Sequence, residues 1–322
     1  MDLKQFTVMA SGKMRQCAYD ALKDKVNLLS WQQGGRMPQE QFDAWLSQAD
    51  AIFSISNFKA NEELLAKAPK LKVIAQSAVG YVNMDVAACN AHGVRVGNTP
   101  GVLVDDVADL AYALLIDSAR RIVKAHAHVA SGLWGQRKPF GVTTALAGKT
   151  LGIIGMGDIG SAIAKRAQVS KLKVVYHNRH QRADDAALNV TYMSQDELLA
   201  TSDFVLVAVT LNPSTKGMLN AAAFAKMKPG ACFINISRGG VVDTDALYAA
   251  LKSGRLAYAA LDVTDPEPLP GDHKLLTLDN ITITPHIASY TSETRDAMAM
   301  LTVDNIMAAL QGREMPAEVK IK

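Results

Sequence analysis

Residues 146–166, LAGKTLGIIGMGDIGSAIAKR, restrict the possible folds of this chain more than any other stretch. The apolar run 150–154 reads as a buried strand that turns through Gly155, Gly157 and Gly160 into an Ala-rich helix. Gly155 permits the tight turn, Gly157 lets the backbone approach a pyrophosphate, and Gly160 lets the helix pack closely on the strand. Met156, Gly157, Asp158 and Ile159 are the candidate cofactor-binding residues of this turn, where a phosphate would sit on free amides at the helix N-terminus and the macrodipole favours negative charge. Glycines also collect in ordinary turns. The strand before this turn and the helix after it make it a dinucleotide site.

A chain of 322 residues is too long for one ordinary core, which predicts two domains. With 49% hydrophobic and 20% charged residues and a net charge of +3, the composition gives no basis for nucleic-acid or membrane binding. Cys17, Cys89 and Cys232 lie far apart, which suggests neither a disulfide framework nor a metal site and fits a reducing compartment. The N-terminus lacks the apolar core of a signal peptide, and no run approaches the ~18 apolar residues of a membrane span. A soluble cytoplasmic protein is expected.

Short β-rich runs at 6–9, 26–31, 51–55, 71–76 and 94–96 alternate with helical spacing at 39–48, 61–67 and 84–92. This alternation predicts a small parallel α/β domain. Asn98-Thr99-Pro100-Gly101 then breaks the pattern, and 102–122 reads as a long helix with an acidic start. A second series follows, with strands at 150–154, 173–177, 204–209, 232–236, 258–262 and 281–284 and helices at 196–200, 221–227 and 243–252. Six strands wound this way make a Rossmann sheet with its ligand crevice at their carboxyl ends. The last helix, 292–310, follows the completed sheet and is expected to return to the first domain, making it discontinuous. The expected architecture is α/β with two doubly wound parallel-sheet domains: a Rossmann coenzyme domain at 99–287 and a substrate domain at 1–98 and 288–322.

The end of the second Rossmann strand reads the adenosine ribose, an acidic residue selecting NAD and an Arg accommodating the 2′-phosphate of NADP. Here the strand runs into Asn178-Arg179-His180-Gln181-Arg182, with no carboxylate before Asp184. Arg179 is the best partner for a 2′-phosphate, with Arg182 and His180 as weaker helpers. NADPH is the expected cofactor, NADH remaining possible; the alternative is a solvated basic loop.

Four polar signals fall at later strand ends. Arg238, in Asn235-Ile236-Ser237-Arg238-Gly239-Gly240, can hold a carboxylate through two parallel hydrogen bonds. Asp262 and Glu267 follow in LDVTDPEPLP, and His286 in ITPHIAS stands just after the last strand. Histidine suits proton transfer near neutral pH, and a carboxylate at its second nitrogen fixes the tautomer and favours the acid form. Glu267 is the candidate for that carboxylate. Singly, Arg238 reads equally as a strand cap, His286 as a satisfied core residue and Glu267 as surface loop; together they form a site with an assignable mechanism.

Nearly the whole chain resembles the D-isomer-specific 2-hydroxyacid dehydrogenases. The likeness rests on SAVGYVNMD (77–85), NTPGVLVDDVADLAYALLI (98–116), GKTLGIIGMGDIG (148–160), FINISRGGVVDTDAL (233–247), ALDVTDPEPLP (260–270) and ITPHIAS (283–289). The resemblance implies that Arg238 binds substrate, that Glu267 pairs with the general acid/base His286, and that Asp262 lies near the nicotinamide. It further implies that the backbone at Val79-Gly80 holds the substrate carboxylate, that the substrate domain is split and flavodoxin-like, and that the enzyme is a homodimer. Val82 and Asp158 depart from the family, which often has Asp and Arg there; neither removes a catalytic group. The missing ribose carboxylate, LDVTDPEPLP and Gly132-Leu133-Trp134-Gly135 resemble the NADPH-using branch that reduces glyoxylate and hydroxypyruvate.

The expected substrate is therefore a small 2-oxoacid, reduced by hydride transfer with His286 as acid. Trp134 either lines the pocket, here or in a neighbouring subunit, or anchors a domain or subunit contact. Two other readings stand beside this one: a 2-ketogluconate or arylpyruvate reductase with the same site, and a dinucleotide-sensing corepressor-like binding protein.

Overall fold

Two parallel sheets arise from the alternation of short buried strands with helices. The computed structural model describes residues 2–33, 35, 37–55 and 58–320; Met1, Ile321 and Lys322, at the ends of the expected substrate domain, lie outside them. One compact unit draws on the chain up to Leu103 and from Tyr290 onward, and the other spans Val104–Ser289.

In the first unit, strands β1 (Thr7–Ala10), β2 (Asn27–Leu29), β3 (Ala51–Ser54), β4 (Val73–Gln76) and β5 (Arg95–Gly97) pair in parallel. Their order, β2-β1-β3-β4-β5, is the flavodoxin-like one. β1, β3 and β4 are buried throughout, which explains why their sequences read as apolar runs rather than as alternation. Val8, Phe53 and Val73 face the last helix, Ser292–Leu310, through its Val303 and Ile306, while Met9, Ile52 and Ile74 pack with Leu46 and Leu64. The last helix thus packs on the first sheet.

The second unit holds β6 (Thr150–Ile154), β7 (Lys173–His177), β8 (Thr191–Tyr192), β9 (Phe204–Val207), β10 (Ala231–Asn235), β11 (Leu256–Leu261) and β12 (Ile281–Ile283). They pair in parallel in the order β12-β11-β10-β9-β6-β7-β8. The winding reverses beside β6, and that switch point puts the ligand crevice at the carboxyl ends of β6, β9 and their neighbours. Among the described residues this sheet has seven strands, not the six expected. The extra one, β8, pairs only Thr191 and Tyr192 with β7, too few residues to leave a periodic signal.

The long helix expected over 102–122 is also broken. It runs Val104–Arg120 and stops because Arg121 takes a left-handed conformation, φ +58°, with its guanidinium 3.8 Å over the Tyr258 ring. A second helix, Ile122–Ala130, buries none of its residues. No Gly or Pro marks the break, so the sequence carried no sign of it. Among the described residues, no helix is long and apolar enough to cross a membrane, and no cluster of His, Cys, Asp or Glu could hold a metal ion.

Candidate active site

The glycine turn after β6 has the geometry its residue types require. Gly155 has φ +104°, and a Cβ there would fall 2.6 Å from the Ala208 carbonyl oxygen; at Gly160 it would fall 2.3 Å from that of Gly155. A Cβ on Gly157 meets no atom within 4 Å, so this glycine faces open space. The N–H groups of Gly157, Asp158 and Ile159, at the start of the helix Asp158–Val169, have no acceptor among the described residues. Unpaired helix N-terminal donors beside an open glycine fit a pyrophosphate.

The loop after β7 is stitched to this turn. The Asn178 side chain accepts from the Met156 N–H at 2.7 Å and donates to the Met156 carbonyl at 3.3 Å. Arg182 donates to the same carbonyl at 2.9 Å and grips both carboxylate oxygens of Asp184 at 2.7 Å. Its neighbour Arg179 is exposed and makes no hydrogen bond or ion pair among the described residues. Arg179 and Arg182, equivalent candidates by residue type, therefore stand in different states.

Arg238 follows β10. Buried Asn235 builds its turn, accepting from the Ser237 N–H and hydroxyl at 3.0 and 2.8 Å and donating to the Arg238 carbonyl at 3.1 Å. The Arg238 guanidinium donates to the Ser237 carbonyl at 2.7 Å. Burial lowers its pKa from the ordinary value, and the Glu267 carboxylate lies close enough to oppose that shift. The adjacent Gly239 is pressed onto the next loop, where its Cβ would lie 1.9 Å from the Thr264 carbonyl oxygen.

His286 lies beyond β12 with Nδ1 at 2.6 Å from Glu267 Oε1. The pair is partly exposed, at 40% and 41%, so the site is open to a solute. That bond fixes Nδ1, and Nε2 has no partner among the described residues. The backbone at His286 is left-handed, φ +55°, a conformation that costs a residue with a Cβ about 1–3 kcal/mol unless its surroundings enforce it. Asp262 enforces it. Its carboxylate, on a residue 1% exposed, accepts from the Thr284 hydroxyl at 2.5 Å and from the N–H groups of Ile287 and Ala288 at 2.9 Å each. The loop carrying the imidazole is thus wrapped around a buried anion.

Arg238, Glu267 and His286 therefore converge at the carboxyl ends of one sheet, with Asp262 beneath the histidine loop. Val79 and Gly80 follow β4 in the other unit. Trp134 is 70% exposed, in a stretch with few buried side chains. Reading residue types missed Asn235 and Thr284, whose contribution is to hold the chemical groups in place. The asparagine in NISRGG, just before the arginine, was the available signal.

Comparison with known proteins places the chain in a family. The family model "D-isomer specific 2-hydroxyacid dehydrogenase, NAD binding domain" matches residues 112–288. This chain belongs to that family. Among curated relatives of the dehydrogenase is the human glyoxylate reductase/hydroxypyruvate reductase, 41% identical over 299 residues, 90% of each chain. A glyoxylate reductase of Thermococcus litoralis is 44% identical over 275 residues, 84% of this chain and 83% of its own. Among solved structures, a Thermus thermophilus protein gives a TM-score of 0.90 at 38% identity, covering 98% of this dehydrogenase and 100% of that chain. The NADPH-dependent glyoxylate/hydroxypyruvate reductase of Sinorhizobium meliloti, in complex with NADP and malonate, gives 0.87 at 31% identity, covering 98% and 96%. The dehydrogenase is an oxidoreductase of the glyoxylate reductase branch, and its cofactor is a nicotinamide dinucleotide.

Proposed function

We propose that this enzyme reduces a small 2-oxoacid, glyoxylate or hydroxypyruvate, to the D-2-hydroxyacid with NADPH. The observation that carries the reading is the imidazole of His286, locked through Nδ1 to Glu267 while Nε2 has no partner among the described residues, near a half-buried arginine. The names of the curated relatives support the substrate class. In this reading, residues 99–287 form the coenzyme domain and 1–98 with 288–322 the substrate domain. When bound, the dihydronicotinamide supplies the hydride. Arg238 grips the substrate carboxylate and offers a donor to the neighbouring carbonyl oxygen. Backbone amides at Val79-Gly80 share that carboxylate. His286 gives the proton on Nε2 to the oxygen of C2 as charge develops there, and Glu267 stabilises the ring while it carries that proton. Asp262 acts on the nicotinamide side of the site by keeping the histidine loop in place. A panel of 2-oxoacids assayed with NADPH and NADH at the nicotinamide absorbance band tests the assignment; no turnover of any of them overturns it.

The preference for NADPH rests on Arg179. Because its guanidinium has no partner among the described residues while that of Arg182 is committed to Asp184 and the Met156 carbonyl, the two should separate in a binding titration. Arg179→Ala is expected to weaken NADPH about tenfold and leave NADH unchanged, as loss of one charge-assisted contact predicts. Arg182→Ala should weaken both dinucleotides alike, since it loosens the glycine turn itself. Equal losses in the Arg179 variant would remove the specificity role.

The enzyme is also assigned as a cytoplasmic homodimer. Its three cysteines are unpaired, as a reducing compartment keeps them. Ile122, Val123, Val129, Leu133 and Trp134 are exposed within one short segment, and apolar patches of this kind mark association surfaces. Trp134, on that segment, lines the substrate pocket of the neighbouring copy. Sedimentation should give twice the chain mass for the wild type and the single-chain mass for Val129→Asp; a monomeric wild type sinks the assignment.

A further inference from the structure

Three successive carbonyls of the loop after β4 are each held by a donor. The carbonyl of Ala78 accepts from the Thr99 N–H at 3.1 Å, that of Val79 from the Asn98 side chain at 2.9 Å, and that of Gly80 from the Gln76 side chain at 2.7 Å. In a trans peptide the C=O and the following N–H point in opposite directions. Each of the N–H groups of Val79, Gly80 and Tyr81 therefore points away from the donor that holds the carbonyl before it, and none of the three has an acceptor among the described residues. Consecutive unpaired amides make an anion-binding concavity.

Two buried side chains hold this arrangement. Gln76 is 8% exposed and has its amide orientation fixed: Nε2 also donates to Asn83 Oδ1 at 3.0 Å, while Oε1 accepts from Ser54 and Asn83 at 3.3 Å each. Asn98 is 9% exposed and anchored through its own carbonyl, which accepts from Asn305 at 3.0 Å. Both donors are thus fixed before any ligand arrives.

We infer that Gln76 and Asn98 are positioning residues for substrate binding: by holding the Gly80 and Val79 carbonyls they aim the loop's amides at the substrate carboxylate. The inference rests on the proposed role of Val79-Gly80 in binding that carboxylate. Its test compares glyoxylate with its uncharged methyl ester, using NADPH and the variants Gln76→Met and Asn98→Ala. The quantity read is the ratio of kcat/KM for acid over ester within one preparation, which does not depend on the fraction of folded enzyme. Each variant is expected to lower that ratio about tenfold, mainly by raising KM for the acid, as misdirecting a charge-assisted amide contact predicts. An unchanged ratio in both variants, including a proportional loss on acid and ester, overturns the positioning role. A wild-type enzyme that reduces the ester as well as the acid overturns the assignment of the loop itself, and the inference with it.

Discussion

His286→Ala is expected to lower kcat for 2-oxoacid reduction by about 10²- to 10⁴-fold, the usual contribution of a positioned proton donor. NADPH binding should be unchanged, because no atom of the glycine turn or of the loop after β7 bonds the imidazole. The local argument is specific. Nδ1 is held by Glu267 at 2.6 Å, so Nε2 is the nitrogen left to face substrate, and a methyl group provides no proton at that point. Glu267→Gln should fall between the two enzymes: an amide oxygen can still accept from Nδ1 and keep the tautomer, but it lacks the charge that stabilises a protonated ring. Steady-state rates at the nicotinamide band, with fluorescence titration of NADPH alongside, check both variants. Full turnover in His286→Ala would falsify the assignment of the acid.

Arg238→Lys should raise KM for the oxoacid and reduce kcat/KM by about ten- to a hundredfold, the cost of losing charge-assisted hydrogen bonds at a partly buried site. The substitution keeps the charge and discards the planar fork. Burial already lowers the pKa of this guanidinium, with Glu267 opposing, and an ammonium on a flexible stem suits that surrounding less well. A single ammonium nitrogen also has to serve both the Ser237 carbonyl and the substrate, which the guanidinium can address through separate nitrogens. A Michaelis constant equal to that of the wild type sinks the role given to Arg238.

Much of the fold was legible because it is written in local chemistry. Glycines at 155 and 160 appear where a Cβ would strike a carbonyl oxygen, and β6 and β7 run over the residues that apolar spacing marks. The histidine, the glutamate and the arginine could be read as types suited to their chemistry, standing after strands. What stayed hidden depends on partners remote in the chain. Nothing near Asp262 in sequence tells that its carboxylate is consumed by a loop 22 to 26 residues later. Nor does RHQR reveal that Arg182 is tied down by Asp184 while Arg179 is not, since that difference appears only once the loop closes on the Met156 carbonyl. β8 and the break at Arg121 escaped for another reason: each involves only one or two residues, and periodicity needs more than that to register.

The contact between Gly239 and the Thr264 carbonyl joins the segment bearing the arginine to the segment bearing the glutamate with no room for even a methyl group. The two segments therefore cannot shift independently. A variant meant for bulkier acids must gain its space elsewhere, because lengthening either segment alone displaces guanidinium and carboxylate together. Library design for altered specificity should accordingly leave position 239 untouched.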